Sequence, residues 1–114
     1  MHLSEMEERF AELIWEKEPV TTREMIEACE ERFGWKKSTT YTELKRLEKK
    51  GILKRENTLV TSVIKKDQFA SIRSQEIVQK DYHGSLPAFI CAFTKKTRLS
   101  KKDIAQIRKL LDEL

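Results

Sequence analysis

The chain has 114 residues, 39% hydrophobic and 37% charged, with a formal net charge of +4. That length holds one small domain, or one domain with an appendage, and buries only roughly two-thirds of its unfolded surface, so self-association is an expected source of stability. No stretch approaches the roughly 20 apolar residues that span a bilayer, and the segment from Met1 to Trp15 is acidic and amphipathic rather than a secretory signal. Two separated cysteines, Cys29 and Cys91, fit a reducing cytoplasm and argue against a disulfide scaffold or a zinc site.

A first helix is expected from Ser4, which stands three residues before Glu7 in capping-box spacing. Met6, Phe10, Leu13 and Ile14 then share one face. Pro19 ends it, and Val20-Thr21 has room for a minimal strand. Thr21 and Glu24 repeat the capping box and open a second helix through Phe33, with Met25, Ile26, Cys29 and Phe33 as its apolar stripe and Gly34 as its stop. The third helix is expected from Lys37 to Lys50. At 100° per residue, Leu44 and Leu47 set its buried direction with Thr40 close by, while Ser38, Thr42, Lys45, Arg46 and Lys49 cluster opposite. Gly51 closes it. Ile52–Glu56 and Leu59–Ile64 read as a short hairpin turning at Asn57-Thr58.

Beyond Lys65 the pattern is helical again. Asp67 to Tyr82 carries Phe69, Ile72 and Ile77; a break follows at His83-Gly84-Ser85; Leu86, Phe89, Ile90 and Phe93 mark a short fifth helix; and Ser100 opens a sixth with Ile104, Ile107 and Leu111 in one stripe. Three helices and a ribbon are the order of a winged helix-turn-helix domain, expected over 1–66. The rest, 67–114, is too short for its own core. Its apolar stripes, from Phe69 to Leu111, are therefore expected to pair with the same segment of a second copy in a two-fold homodimer. The fold class expected is mainly α with a small β-hairpin, followed by a helical dimerisation region.

Charge is unevenly spread. Residues 1–34 carry a net −6, 35–66 a net +7 and 67–114 a net +3. A basic block after an acidic one implies a surface facing a polyanion. On the third helix and its approach, Lys36, Lys37, Arg46 and Lys49 suit phosphates, and Ser38, Thr39, Thr42 and Lys45 are placed for base edges. Lys54 and Arg55 on the hairpin would hold adjacent backbone. A basic helix face is often only a solvated face; its place as third helix before a basic ribbon favours double-stranded DNA. A rival from another class is a protein-interaction module whose basic face docks an acidic partner.

Tyr41, at the boundary of the helix faces, suits either the core edge or a sugar-phosphate contact. Trp15 and Trp35 read as packing residues rather than base-stacking platforms, and Cys29 and Cys91 as packed thiols. His2 and His83 have no companions at metal-ligand spacing. No nucleophile–base pair, carboxylate pair or Gly-rich phosphate loop stands out, so neither an enzyme nor a cofactor is expected.

The segment WKKSTTYTELKRLEKKGIL, followed later by SLPAFICAF and LSKKDIAQIRKLL, resembles the penicillinase repressors, the BlaI/MecI/CopY group, over roughly Ser4 to Leu111. The resemblance implies a cytoplasmic, dimeric winged-helix transcriptional repressor on an inverted-repeat operator. It places Lys37, Ser38, Thr39, Tyr41, Thr42, Lys45 and Arg46 at DNA-facing positions, which tips Tyr41 toward DNA. It also implies a sensor protease as partner, cutting in the dimerisation region at the bond matching Ala92–Phe93. Those repressors carry Asn before the Phe, where this chain has Ala92. The Cys-x-Cys cluster of the copper-responsive branch is missing, and Thr40 and Glu43 stand where the family usually has apolar residues.

Overall fold

The computed structural model describes residues 2–114. Its first helix, α1 (Glu5–Lys17), begins where reciprocal capping satisfies two orphan backbone donors: Ser4 Oγ accepts from Glu7 N at 3.1 Å, and Glu7 Oε1 accepts from Ser4 N at 3.0 Å. A two-residue strand, β1 (Val20–Thr21), leads into α2 (Thr22–Phe33), where Thr21 and Glu24 cap each other in the same way. Gly34 ends α2 at φ 66°, a left-handed turn open to glycine at little cost. The third helix, α3 (Lys37–Lys49), closes through Lys50 onto Gly51, whose φ is 82°. A hairpin of β2 (Leu53–Glu56) and β3 (Leu59–Ser62) turns at Asn57, at φ 60°.

The sheet has one more strand than the ribbon expected. β1 pairs antiparallel with β3, setting Val20 opposite Val60, and the order is β1-β3-β2. Both hairpin strands are shorter than their apolar runs. Ile52 lies before β2, where its carbonyl accepts from Val63 N at 2.7 Å and Ile64 N at 3.1 Å, while its side chain enters the core.

Phe10, Leu13 and Ile14 of α1, Met25 and Cys29 of α2, Leu44 and Leu47 of α3, and Ile52, Leu53 and Val60 form that core. Each large aliphatic or aromatic side chain so buried stabilises by about 1.5–3 kcal/mol before entropy is counted. Trp35 stacks 5.8 Å from Phe10 and lies 4.9 Å from Phe33, and Trp15 donates its indole N–H to the Ile64 carbonyl at 2.9 Å. Both tryptophans are thus packing residues. Met6 departs from expectation. It is 40% exposed, and its neighbour Glu7 turns inward instead, because Lys50 and the Ser4 backbone receive the carboxylate.

The next helix, α4 (Lys66–Tyr82), contains the division between two compact units, which falls between Arg73 and Ser74. Phe69 belongs to the first. It is 6% exposed with its ring 5.5 Å from Trp15, which corrects its expected place on the pairing surface: the winged-helix core has already buried it.

The second unit continues through α5 (Leu86–Thr94), capped by Ser85 Oγ, and α6 (Lys101–Asp112), capped by Ser100 Oγ. The break between α4 and α5 holds two consecutive residues at positive φ, His83 and Gly84. Tyr82 meets Phe89 edge-to-face at 5.4 Å and Phe89 stacks on Phe93 at 6.3 Å, yet no residue from Ser74 onward is buried. Ile77, Leu86, Phe93, Leu110 and Leu111 are each more than 40% exposed. Cys91 is exposed as well, which corrects its expected packing: α5 has no buried face.

Candidate nucleic-acid interface

α3 presents its polar side outward because its apolar side is anchored. Leu44, Leu47 and Thr40 are fully buried, and the opposite arc leaves Ser38, Thr39, Thr42, Lys45, Arg46 and Lys49 exposed. Lys36, Lys45 and Lys49 carry no ion pair among the described residues, so their charge is free for an outside anion. Thr42 spends its hydroxyl proton locally: Oγ1 donates to the Ser38 carbonyl at 2.9 Å. Its lone pairs and its methyl remain for an incoming group. Tyr41 is half-buried against the core edge, with Lys37 Nζ 5.9 Å from its ring centroid.

The remaining cations are partnered. Arg46 meets Glu43 at 2.9 Å, Lys54 meets Glu56 at 3.2 Å, and Arg55 meets Glu48 through two bonds, at 3.0 and 3.4 Å. The Arg55 guanidinium, ahead of a small opposing effect of burial, holds the Glu48 carboxyl below the usual carboxylate range. Charges in the basic block are thus of two kinds, lysines free of any ion pair and cations, both arginine and lysine, already held by carboxylates.

Two carboxylates outside the basic block fix the frame of α3 and its wing. Burial disfavours the Glu7 anion, but Lys50 Nζ at 2.8 Å and the Ser4 backbone and hydroxyl outweigh it and lower its pKa. Glu18 follows the same logic. Against burial, it accepts from Ser62 N at 3.0 Å, Ser62 Oγ at 2.7 Å and Lys65 Nζ at 3.0 Å, and its pKa is lowered. The wing turn is tied down separately, with Thr22 N and Oγ1 donating to the Thr58 carbonyl at 2.8 and 3.2 Å. Beside that tie lies a groove of about 580 Å³ whose lining includes Arg23, Lys37, Tyr41 and Thr58. Sequence reasoning misses Arg23, because only the fold carries α2's first turn to the α3 edge.

Among the described residues no group of three His, Cys, Asp or Glu side chains is placed to hold a metal ion, and no helix is long and apolar enough to cross a membrane. A recognition-type helix with a cationic outer face, packed on two helices and flanked by a three-stranded sheet, defines a winged-helix protein. The crystal structure of the reduced form of MarR from E. coli shares the fold, with a TM-score of 0.50 at 21% identity over 99% of this chain and 75% of that one. The family model described as penicillinase repressor matches residues 3–113, and the chain belongs to that family, one of repressors rather than enzymes. The penicillinase repressor of Bacillus licheniformis is 25% identical over 97% of this chain and 90% of its own length. The methicillin resistance regulatory protein MecI of Staphylococcus aureus strain Mu50 is 26% identical over 97% and 94%.

Proposed function

We propose that the chain is a cytoplasmic transcriptional repressor that binds an inverted-repeat operator as a homodimer, with α3 of each copy in the major groove. The observation that carries this reading is the exposed arc of α3 on a chain whose family is one of repressors. Lys36, Lys37, Arg46 and Lys49 supply phosphate contacts, joined by Lys54 of the wing. Ser38, Thr39, Thr42 and Lys45 meet base edges. Because the Thr42 proton is already committed, that residue reads either as an acceptor or through its methyl against a thymine methyl.

The second copy is supported by residues 74–114, where Ile77, Leu86, Phe93 and Leu111 expose apolar surface that nothing in the single chain covers. Relief by a sensor protease at Ala92–Phe93 would require unwinding, because the bond lies inside α5.

Selection of bound duplexes from a random library tests the reading, with enrichment of a two-fold symmetric site expected. Arg46→Ala then weakens binding to every sequence, whereas Thr42→Ala flattens discrimination among operator variants, by about 1–3 kcal/mol at the base it reads. A pool that stays random after repeated rounds sinks the proposal. Retention of an acidic protein in its place would favour a protein-docking module.

A further inference from the structure

We propose that Arg55 and Glu48 form a positioning pair that fixes the wing against α3, and that Arg55 is not a phosphate contact. The proposal rests on the DNA-binding reading above and assigns this residue a different task within it.

The geometry of β2 carries the argument. Side chains alternate along a strand, and here Leu53 is buried, Lys54 exposed, Arg55 half-buried and Glu56 exposed. Arg55 therefore shares its side of the strand with a core residue, while Lys54 projects the other way. Its side chain is 22% exposed, against 58% for Lys54. Glu48 stands in the last turn of α3, across the Gly51 corner. Arg55 Nη2 donates to Glu48 Oε1 at 3.0 Å and Nε to Oε2 at 3.4 Å.

Two parallel bonds between a planar fork and a carboxylate resist rotation as one bond does not. The two other paired cations assigned to the DNA-facing set cannot brace two elements. Arg46 and Glu43 lie on the same helix, and Lys54 and Glu56 on the same strand. To reach a phosphate, Arg55 would surrender both bonds and leave Glu48 unneutralised beside a polyanion. Held as it is, it sets the direction of β2 and so the reach of Lys54, the residue before it.

The test uses the full chain and a duplex that wild-type protein enriches from a random library. Arg55→Gln and Glu48→Gln each weaken binding by roughly three- to tenfold while the slope of log affinity against log salt stays that of wild type. Lys54→Gln lowers that slope by about 0.9 per protomer, as loss of a phosphate contact requires. The swapped chain carrying both Glu48→Arg and Arg55→Glu recovers most of the lost affinity. Arg55→Lys, which keeps the charge but not the fork, falls between wild type and Arg55→Gln.

The proposal is overturned if Arg55→Gln lowers the salt slope as Lys54→Gln does and Glu48→Gln tightens binding, for Arg55 would then be a phosphate contact restrained by its partner. A folded swap that binds no better than the single variants overturns it equally. Where circular dichroism shows the swap unfolded, the slopes of Arg55→Gln and Lys54→Gln decide. Wild-type protein that enriches no duplex removes the DNA-binding reading and the positioning pair with it, whereas wild type that binds while the slopes disagree removes the positioning pair alone.

Discussion

Thr40 lies fully buried on the underside of α3 with its hydroxyl oxygen unpartnered by any geometric hydrogen bond. Its polar neighbour is the Cys29 thiol, a weak partner whose pKa burial pushes up and the Thr40 hydroxyl partly offsets. A buried hydroxyl without a good partner costs free energy that a methyl of the same shape does not. Thr40→Val is therefore expected to stabilise the fold by about 1 kcal/mol, read as a higher urea midpoint at unchanged m-value. A lower midpoint would mean the Cys29 contact is worth more than its geometry suggests. Glu7 presents the opposite case, a buried group fully engaged. Its carboxyl, with those of Glu18 and Glu48, is held below its ordinary value. A lowered folded pKa stabilises above the unfolded value, near ~4.3 for glutamate, and that stabilisation disappears as pH falls through the folded value. Stability should be nearly level from neutrality to about pH 5 and drop below it. Glu7→Gln should lose about 1–2 kcal/mol at neutral pH, given a partly exposed Lys50, and show a shallower acid decline in thermal melts.

Among the elements, α3 differs from the other capped helices at its start. Lys36 occupies the N-cap without a side-chain bond, whereas Ser4, Thr21, Ser85 and Ser100 cap α1, α2, α5 and α6. Lys36→Ser should stabilise by about 0.5–2 kcal/mol and slow amide exchange in the first turn of α3. On the DNA-binding reading it should also weaken binding by removing a cation. The starts of α1 and α2 were legible in the sequence because capping boxes are local signals, and the uncapped α3 also begins at the expected Lys37. The faces of α3 were equally legible, since Leu44 and Leu47 fix them. What spacing alone does not reveal are contacts between distant segments. Glu18 with Ser62 and Lys65, Lys50 with Glu7, β1 against β3, and Phe69 turned to Trp15 all depend on the assembled fold. The same holds within the candidate interface. Its lysines could be named from the sequence, but which arginines are already occupied by carboxylates could not.

For the molecule as a whole, the two units differ in how they hold together. Residues up to Arg73 enclose a core of aliphatic and aromatic side chains, while no side chain from Ser74 onward is buried. A second copy covering Ile77, Leu86, Phe93 and Leu111 would supply the missing burial. Leu111→Asp is expected to raise the dimer dissociation constant by on the order of a hundredfold or more, since each loss occurs twice across a two-fold interface. Sedimentation at micromolar concentration reads the outcome, and a wild-type chain that sediments as a monomer contradicts it. The separation of charge along the first 66 residues has one more effect, felt before any contact. With negative charge concentrated on α1 and α2 and positive charge on α3 and the wing, the unit is an electric dipole, and a polyanion's field exerts a torque on it. On the DNA-binding reading, approaching molecules would be turned to arrive with α3 leading, and collisions in the reverse attitude disfavoured. This bias fades as added salt shortens the Debye length to about 10 Å at 0.1 M.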